Sequence, residues 1–275
     1  MQTQNPDDQP FGHYSARHRV VAWISHNLFD HATYTVQHGL IKGMKRKGGL
    51  AWVPEFIAGS TETAEQRFWM NLDLKGQMVY DVGAFQGLLT LFFARQARQV
   101  ISYEPNTKNN ARCLENLRLN GVTNVQVRKL GVGSKAEIAT MVVSPLMPGG
   151  ASVESATVAG LRQSAPALDS EDITIVTLDD DIRENSLPKP DFIKIDIEGQ
   201  EGAALLGARE TLLTHKPALF LEMHGETLNL KRQKVAAIVA LLNEFGYRDI
   251  LHIESGAKLH AGNTEMAVEG HLYCR

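Results

Sequence analysis

Apolar positions follow two different patterns along this chain, one before and one after residue 77. Residues Tyr14 to Met44 carry apolar side chains at broadly helical spacing without strand-like alternation, which predicts two helices. From Gln77 onward, short apolar runs alternate with longer amphipathic segments, which is typical of a parallel sheet covered by helices on both faces. The predicted strands are Met78–Val82, Gln99–Tyr103, Val125–Val127, Phe192–Ile197 and Ala218–Met223. The predicted helices are Leu88–Arg95, Thr107–Leu119, Glu201–Leu213 and Gln233–Phe245.

Four further segments complete the predicted architecture. Gly246 to Ile253 and Gly270 to Cys274 are near enough to pair as a terminal antiparallel hairpin, and Ile173 to Leu178 is predicted as an extra strand. Ser144 to Ser170 is rich in Pro, Gly, Ala and Ser, and we expect it to be a long loop or lid beside the site. The fold class is therefore α/β, with a mostly parallel sheet of seven strands flanked by helices. Residues 1–60 are predicted as an N-terminal helical extension, and residues 61–275 as the main domain.

Composition and charge narrow the classes of partner and compartment. The net charge is −3, which argues against nucleic acid and anionic membranes and favours a small neutral or polar substrate. The two cysteines, Cys113 and Cys274, lie far apart and in no metal-ligand spacing, which predicts neither disulfide nor zinc site. The first residues lack the pattern of a secretion signal, and no apolar run approaches the roughly 20 residues that span a bilayer. We therefore expect a cytoplasmic protein.

A basic cluster stands near the end of the predicted N-terminal helices. Lys42, Lys45, Arg46 and Lys47 directly precede two glycines, which suits basic side chains at a helix C-terminus followed by a glycine stop. A phosphate or nucleic-acid patch is the alternative interpretation, but interleaved aromatic residues and net basicity are both missing. The extension as a whole is interpreted as a cap over the substrate side or as a contact in a homodimer.

The first chemical motif is the turn that follows the strand Met78–Val82. The run Val79-Tyr80-Asp81-Val82-Gly83-Ala84-Phe85-Gln86-Gly87 passes from a strand through two glycines into a helix, which lets bare backbone approach a nucleoside cofactor. A dinucleotide site requires G-x-G-x-x-G, whereas this turn has glycines only at positions 83 and 87. The spacing favours a cofactor with a single carboxylate at its anionic end, such as S-adenosylmethionine. Plain turn chemistry is the alternative.

The second motif is Tyr103-Glu104-Pro105-Asn106, which ends the next predicted strand about 20 residues further on. A carboxylate at this place can accept hydrogen bonds from both ribose hydroxyls of a nucleoside. The alternative interpretation of Glu104 is an N-cap for the helix that begins near Asn106. Glu104 as a ribose clamp is the preferred assignment.

Two further motifs place acidic side chains and a histidine at strand ends. The run Asp191 to Glu201 is a buried strand that emerges at Asp196, where open α/β sheets bind ligands. Glu198 and Glu201 are interpreted as favourable charges in the first turn of the next helix rather than as catalytic groups. The strand Ala218–Met223 brings Glu222 and His224 to the same edge. A histidine there can remove a proton near neutral pH, or can be held in a structural hydrogen bond.

These strings together resemble the FkbM-type methyltransferases over about residues 75 to 250. The matching residues are Asp81-Val82-Gly83-Ala84 with Gly87 and Thr90, Tyr103-Glu104-Pro105-Asn106, Asn116, Asn120, and above all Ile193-Lys194-Ile195-Asp196-Ile197-Glu198-Gly199 with Glu201. The resemblance implies a Rossmann-like class I methyltransferase fold, S-adenosylmethionine as methyl donor, and O-methylation of a sugar or polyketide-like hydroxyl. It also implies that the two glycines line the methionine end and that Glu104 holds the ribose. The family often has asparagine and a small aliphatic residue where this chain has Phe85 and Gln86.

The predicted site follows from these motifs. The cofactor-binding residues are predicted to be Asp81, Gly83, Ala84, Phe85, Gly87, Glu104, Pro105, Asn106 and Asp196. The predicted catalytic residues are His224 as proton acceptor, Asp196, which orients the hydroxyl, and Glu222. A divalent cation held by the same three side chains is an alternative, although no metal is predicted. Two other functions stay open: a nicotinamide-dependent oxidoreductase, and a catalytically idle module that binds the cofactor.

Overall fold

The computed structural model describes residues 31–48, 63–144, 147–152, 169–225, 227–267 and 269–275. Its elements begin with β1 (Thr33–Thr35), β2 (Lys45–Lys47), α1 (Ala64–Asn71), β3 (Met78–Val82), α2 (Leu88–Ala94), β4 (Gln99–Tyr103), α3 (Thr107–Leu119) and β5 (Val125–Arg128). They continue with β6 (Gly131–Val132), β7 (Glu137–Ser144), β8 (Met147–Ser152), β9 (Asp169–Val176), α4 (Leu178–Glu184), β10 (Phe192–Ile195), α5 (Glu201–Gly207) and α6 (Arg209–His215). They end with β11 (Ala218–Glu222), α7 (Leu228–Glu244), β12 (Ile250–His252), the 3-10 turn Thr264–Ala267 and β13 (His271–Cys274). Among these residues, no helix is long and apolar enough to cross a membrane.

Seven strands form the main sheet in the order β12-β13-β11-β10-β3-β4-β5. The pairs from β11 through β10, β3 and β4 to β5 are parallel, and β13 runs antiparallel to both β11 and β12. The predicted α/β class and the predicted terminal hairpin are thus confirmed. Because the central strands are parallel, β3, β4, β10 and β11 all present their carboxyl ends at one edge of the sheet.

Both faces of the sheet are covered, as the continuous apolar runs predict. One core cluster packs Leu205, Val239 and Phe245 of the helices against the strand side chains. The other centres on Trp69 of α1, whose ring lies 4.1 Å from that of Phe220. α1 itself begins with a capping box, in which Thr63 and Gln66 exchange side-chain and backbone hydrogen bonds. Burial on both faces explains why these strands show no polar alternation.

A second sheet of four strands, in the order β6-β9-β7-β8, is inserted between β5 and β10. β7 pairs antiparallel with β9, and Met141, Ile173 and Ile175 form a small apolar cluster on one face. The sequence predicts a strand at Ile173 but not at β7. The prediction of a continuous loop over Ser144 to Ser170 is wrong at both ends, since β8 and the start of β9 lie within it. Residues 153–168 lie outside the described residues.

The N-terminal region differs from its prediction wherever the structure describes it. Residues 31–48 form an antiparallel hairpin of β1 and β2, not the end of a helix. The basic cluster therefore does not cap a helix, because Lys45–Lys47 is itself the second strand. Asn116 of α3 and Asn120 directly after it accept hydrogen bonds from the backbone N–H groups of Lys47 and Lys45, which ties the hairpin to the main domain. Residues 1–30 and 49–62 lie outside the described residues, so the remainder of the predicted helical extension stays a prediction.

Two helix boundaries also differ from prediction. The single helix expected over Glu201–Leu213 is divided at Ala208 into α5 and α6. The helix expected from Gln233 begins earlier, at Leu228, because the Thr227 hydroxyl accepts a hydrogen bond from the Leu230 N–H and caps it. Neither change moves the strand ends that carry the predicted site residues.

Candidate active site

The turn after β3 lies in very close contact with neighbouring parts of the chain at its two glycines. Gly83 has φ of +83°, and a Cβ atom added there would lie 1.8 Å from the carbonyl oxygen of Asp196. Gly87 has φ of +81°, and its added Cβ would lie 2.7 Å from the sulfur of Cys113. Only glycine combines this left-handed conformation with such contacts. The turn is consequently pressed between the end of β10 and α3, and a ligand can reach its backbone.

Glu104 lies at the end of β4 and is held by the turn beside it. Its Oε2 accepts a hydrogen bond of 2.7 Å from the Phe85 N–H, and its Oε1 accepts one of 2.9 Å from the Asn106 N–H. The residue is 6% exposed, and this burial raises the pKa of its carboxyl to about 7, although both backbone N–H groups lower it. The alternative role as N-cap is wrong, because the Asn106 side chain caps α3 by accepting from the Asn109 N–H.

A cavity of about 400 Å³ opens at the carboxyl edge of the sheet. Gly83, Phe85, Glu104 and Pro105 form one side of it, and Asp196 forms part of another. The remaining walls come from the turn after β5, from the start of α5 and from the apolar face of the four-stranded sheet. The volume falls within the range of small-molecule and cofactor sites.

Four predicted cofactor residues lie behind this wall and not on it. Asp81 is fully buried in β3, where it accepts a hydrogen bond of 2.6 Å from the Thr90 hydroxyl. Ala84 and Gly87 shape the turn, and Asn106 uses its side chain to cap α3 and to bind Glu171. Only part of the predicted cofactor-binding set therefore lines the cavity, and the other residues support the cavity wall from behind.

Lys194 joins the two aspartates of the site. It is the cross-strand partner of Asp81, and its ammonium lies 3.5 Å from Asp81 Oδ1 and 3.1 Å from Asp196 Oδ2. The ammonium also donates a hydrogen bond of 2.7 Å to the Gly83 carbonyl. Burial alone would lower the pKa of Lys194, but the two carboxylates outweigh it and raise the pKa. Lys194 thus fixes Asp196 and the glycine turn in one arrangement.

His224 stands in a cluster of four carboxylates beyond the end of β11. Its Nδ1 lies 2.9 Å from Oε1 of Glu201, which is 1% exposed. Its Nε2 lies 3.6 Å from Asp196 Oδ1, 3.6 Å from Glu222 Oε1 and 3.8 Å from Glu198 Oε2. The predicted convergence of Asp196, Glu222 and His224 is present in this geometry, and the three could hold a metal ion.

Burial and neighbouring charges shift the pKa of each group in this cluster. Burial would lower the pKa of His224, but the Glu201 hydrogen bond and the surrounding carboxylates raise it to about 9. Burial would raise the pKa of Asp196, but the Lys194 ammonium, followed by His224, holds it below its usual range. For Glu198, burial dominates and raises the pKa to about 7 despite the neighbouring histidine. Because four carboxyl groups surround one imidazole, the cluster contains more acidic than basic side chains.

Comparison with known proteins fits this arrangement. Residues 81–248, more than half of the chain, match the model of the methyltransferase FkbM domain. This chain belongs to the FkbM methyltransferase family. The FkbM match begins at Asp81 in β3 and ends just before β12, so it takes in every candidate site residue. The β1–β2 hairpin and the terminal strands lie outside it.

Solved structures similar to this FkbM chain include other methyltransferases. Methyltransferase FkbM from Methylobacillus flagellatus KT is 21% identical, with a TM-score of 0.48 over 81% of this chain and 50% of that one. This chain therefore spans half the length of that protein. SMU.1697c from Streptococcus mutans, solved in complex with SAH, is 11% identical, with a TM-score of 0.42 over 76% of this chain and 93% of that one. No curated protein matches the chain.

Two side chains of this FkbM site were not assigned to it from the sequence. Lys194 lies within a strand whose other residues are apolar, and a lysine in such a run is the signal that could have found it. Glu201 was interpreted as a charge in the first turn of a helix, and it does lie in the first turn of α5. Its buried carboxylate instead accepts from the Gly199 N–H and contacts His224. Both residues act by holding others in place.

Proposed function

We propose that this chain is an S-adenosylmethionine-dependent methyltransferase that methylates a hydroxyl group of a small molecule, such as a sugar or a polyketide-like compound. The observation that carries the proposal is one cavity with Glu104 on one wall and Asp196, beside His224, on another. A nucleoside held at Glu104 would extend along the glycine turn toward Asp196. The methyl donor and the acceptor would meet at the acidic cluster.

The ribose assignment is supported by the free lone pairs of Glu104. Each of its oxygens accepts one backbone N–H, and a carboxylate oxygen can accept two hydrogen bonds. One acceptor position per oxygen therefore remains for a ribose hydroxyl. The glycine turn lacks the third glycine that a pyrophosphate requires, which favours a cofactor with a single carboxylate over a nicotinamide dinucleotide.

The chemistry of methyl transfer suits the acidic cluster. Transfer from a sulfonium is an in-line displacement, so the acceptor oxygen has to be held about 3 Å from the methyl carbon and aligned with the sulfur. Negative charge from Asp196 would favour the positively charged donor. In this proposal Asp196 orients the acceptor hydroxyl, with Glu222 beside it, and the neutral form of His224 accepts its proton; because its pKa is raised to about 9, this form becomes the major one only above that pH. A cation held by the same side chains is the variant developed below.

The test is calorimetric titration with S-adenosylhomocysteine, followed by turnover of labelled S-adenosylmethionine on a panel of hydroxyl compounds. We expect micromolar binding in the wild type, most of which is lost in Glu104→Ala. Absence of binding to the wild type would contradict the proposed cofactor, and quenching of NADH fluorescence would then favour the oxidoreductase. Saturable binding without turnover on any acceptor would instead favour an idle cofactor-binding module.

A further inference from the structure

The imidazole of His224 faces three carboxylate oxygens with its Nε2 atom. They belong to Asp196, Glu222 and Glu198, at 3.6, 3.6 and 3.8 Å. Hydrogen bonds between nitrogen and oxygen are formed at 2.7–3.2 Å, so these three distances are too long for them. His224 Nε2 therefore lies near three carboxylate oxygens without a hydrogen bond of ordinary length to any of them.

That spacing fits a small divalent cation. Ligands about 2.1 Å from a Mg²⁺ ion in octahedral geometry lie about 3 Å from their neighbours and about 4.2 Å from the ligand opposite. One oxygen of Asp196, one oxygen of Glu222 and one nitrogen of His224 all lie within 4.8 Å of one another. Small rotations of these side chains would bring the three atoms to ligand distances.

The second polar atom of each ligand faces a residue outside the set, at hydrogen-bond distance for Asp196 and His224 and at ion-pair distance for Glu222. Lys194 lies 3.1 Å from Asp196 Oδ2, and Glu201 lies 2.9 Å from His224 Nδ1. His271 lies 3.7 Å from Glu222 Oε2. Outer partners of this kind fix the tautomer and orientation of metal ligands. Here they leave one atom of each side chain directed inward.

We propose that Asp196, Glu222 and His224 bind one divalent cation, Mg²⁺ or Mn²⁺. Two carboxylates and one imidazole are oxygen-rich ligands suited to these ions, and both described cysteines are buried elsewhere in the core. With these three ligands, an octahedral ion would keep three positions for water or for an oxygen of the acceptor.

The catalytic role of this cation rests on the proposed function. The acceptor hydroxyl would occupy one of the remaining positions, where the positive charge lowers its pKa and its proton passes to water. The oxygen then uses a lone pair to bond the methyl carbon, and the carbon–sulfur bond breaks with its electron pair on sulfur. His224 would be a ligand in this mechanism and not the proton acceptor.

Electron paramagnetic resonance of Mn²⁺ tests the site without reference to activity. Chelator-treated full-length protein is titrated with Mn²⁺, and the signal of free Mn²⁺ is followed. We expect one bound Mn²⁺ per chain, displaced by excess Mg²⁺, with echo modulation from a directly bound imidazole nitrogen. Wild-type protein that leaves all Mn²⁺ free, or binds it without nitrogen modulation, would overturn the proposal.

Variants locate the ion among the three ligands. Glu222→Gln and His224→Gln should each weaken Mn²⁺ binding at least about tenfold, and Glu201→Gln should weaken it roughly tenfold through the orientation of His224. Glu244→Gln is the matched control, because its carboxylate pairs with Arg209 on the surface. Equal affinity in all four variants would place the ion elsewhere and refute the assignment, and thermal unfolding identifies any variant that has not folded.

Titration with S-adenosylhomocysteine separates this inference from the proposed function. If chelator-treated protein binds S-adenosylhomocysteine but no Mn²⁺, the cation site alone is refuted. Protein that binds Mn²⁺ but no S-adenosylhomocysteine would support the cation site and contradict the proposed cofactor.

Discussion

Affinity for the cofactor should depend on pH through Glu104. The carboxylate is buried, its pKa is raised to about 7, and both of its oxygens are already occupied by one backbone N–H each. Only the ionised form can accept hydrogen bonds from two ribose hydroxyls while keeping both backbone N–H groups. Lowering the pH through 7 therefore converts the binding form to a form that binds poorly, so affinity falls on the acid side and reaches a plateau on the alkaline side.

The size of the effect follows from this pKa. With a pKa of about 7, the ionised fraction falls from about nine-tenths at pH 8 to about one-tenth at pH 6, which weakens binding about tenfold. At pH 8, Glu104→Gln should itself weaken binding by roughly tenfold to a hundredfold, because hydrogen bonds to a charged group contribute about 1.5–3 kcal/mol. Its amide can also satisfy only one of the two backbone N–H groups.

Calorimetric titration of S-adenosylhomocysteine between pH 6 and pH 8 measures both effects. The wild type should lose affinity toward pH 6, whereas Glu104→Gln should show a flat profile over the same range. Titration of the ligand is common to both proteins and cancels in the comparison. Glu244→Gln, which removes an exposed carboxylate, should behave as the wild type does. Equal slopes in the wild type and in Glu104→Gln would refute the reasoning.

Three further predictions concern stability and are measured by urea unfolding. Gly83→Ala should lower the free energy of unfolding by about 2–4 kcal/mol, because the new Cβ meets a carbonyl oxygen. Gly76 also has a positive φ but has open space around it, so Gly76→Ala should lower the free energy of unfolding by only about 1–2 kcal/mol. Asn116→Ala should lose about 1–3 kcal/mol and more than the less buried Asn120→Ala, and hydrogen exchange should quicken in β2; unchanged exchange would show that the hairpin is held otherwise. Lys194→Met should lose about 3–5 kcal/mol by leaving two aspartates without their cation, and a neutral result would contradict the ion-pair argument.

Local pattern was sufficient to predict the central sheet from the sequence. The bounds of β3, β4 and α3 coincide with the predicted Met78–Val82, Gln99–Tyr103 and Thr107–Leu119. Each strand is a short apolar run between turn residues, and the helix follows a proline and carries an Asn N-cap. In such segments, the apolar side chains whose burial stabilises the element also form the sequence pattern from which the element is predicted.

Prediction failed where long-range contacts decide the structure. The apolar residues of 31–48 have helical spacing, yet the segment forms a hairpin that binds amide side chains of α3 about 70 residues away. β7 lies between β8 and β9 in a small sheet, and its partner β9 is separated from it along the chain, so its local pattern was weak. The sequence showed which acids stand at strand ends, but not which of them face the cavity.

The arrangement of the site depends on the pairing register of its strands as much as on the types of residue it contains. Lys194 reaches Asp81 because the two residues are paired across neighbouring parallel strands, and it reaches Asp196 because that residue lies two positions further along the chain, directly after β10. A register shift of one residue would turn Lys194 and Asp196 together to the opposite face of the sheet and leave Asp81 without the ammonium. The same parallel arrangement carries Glu222 to the edge where Asp196 emerges. Cofactor wall and acidic cluster are thus fixed relative to each other by sheet pairing, and a change in the register of β10 would disturb both at once.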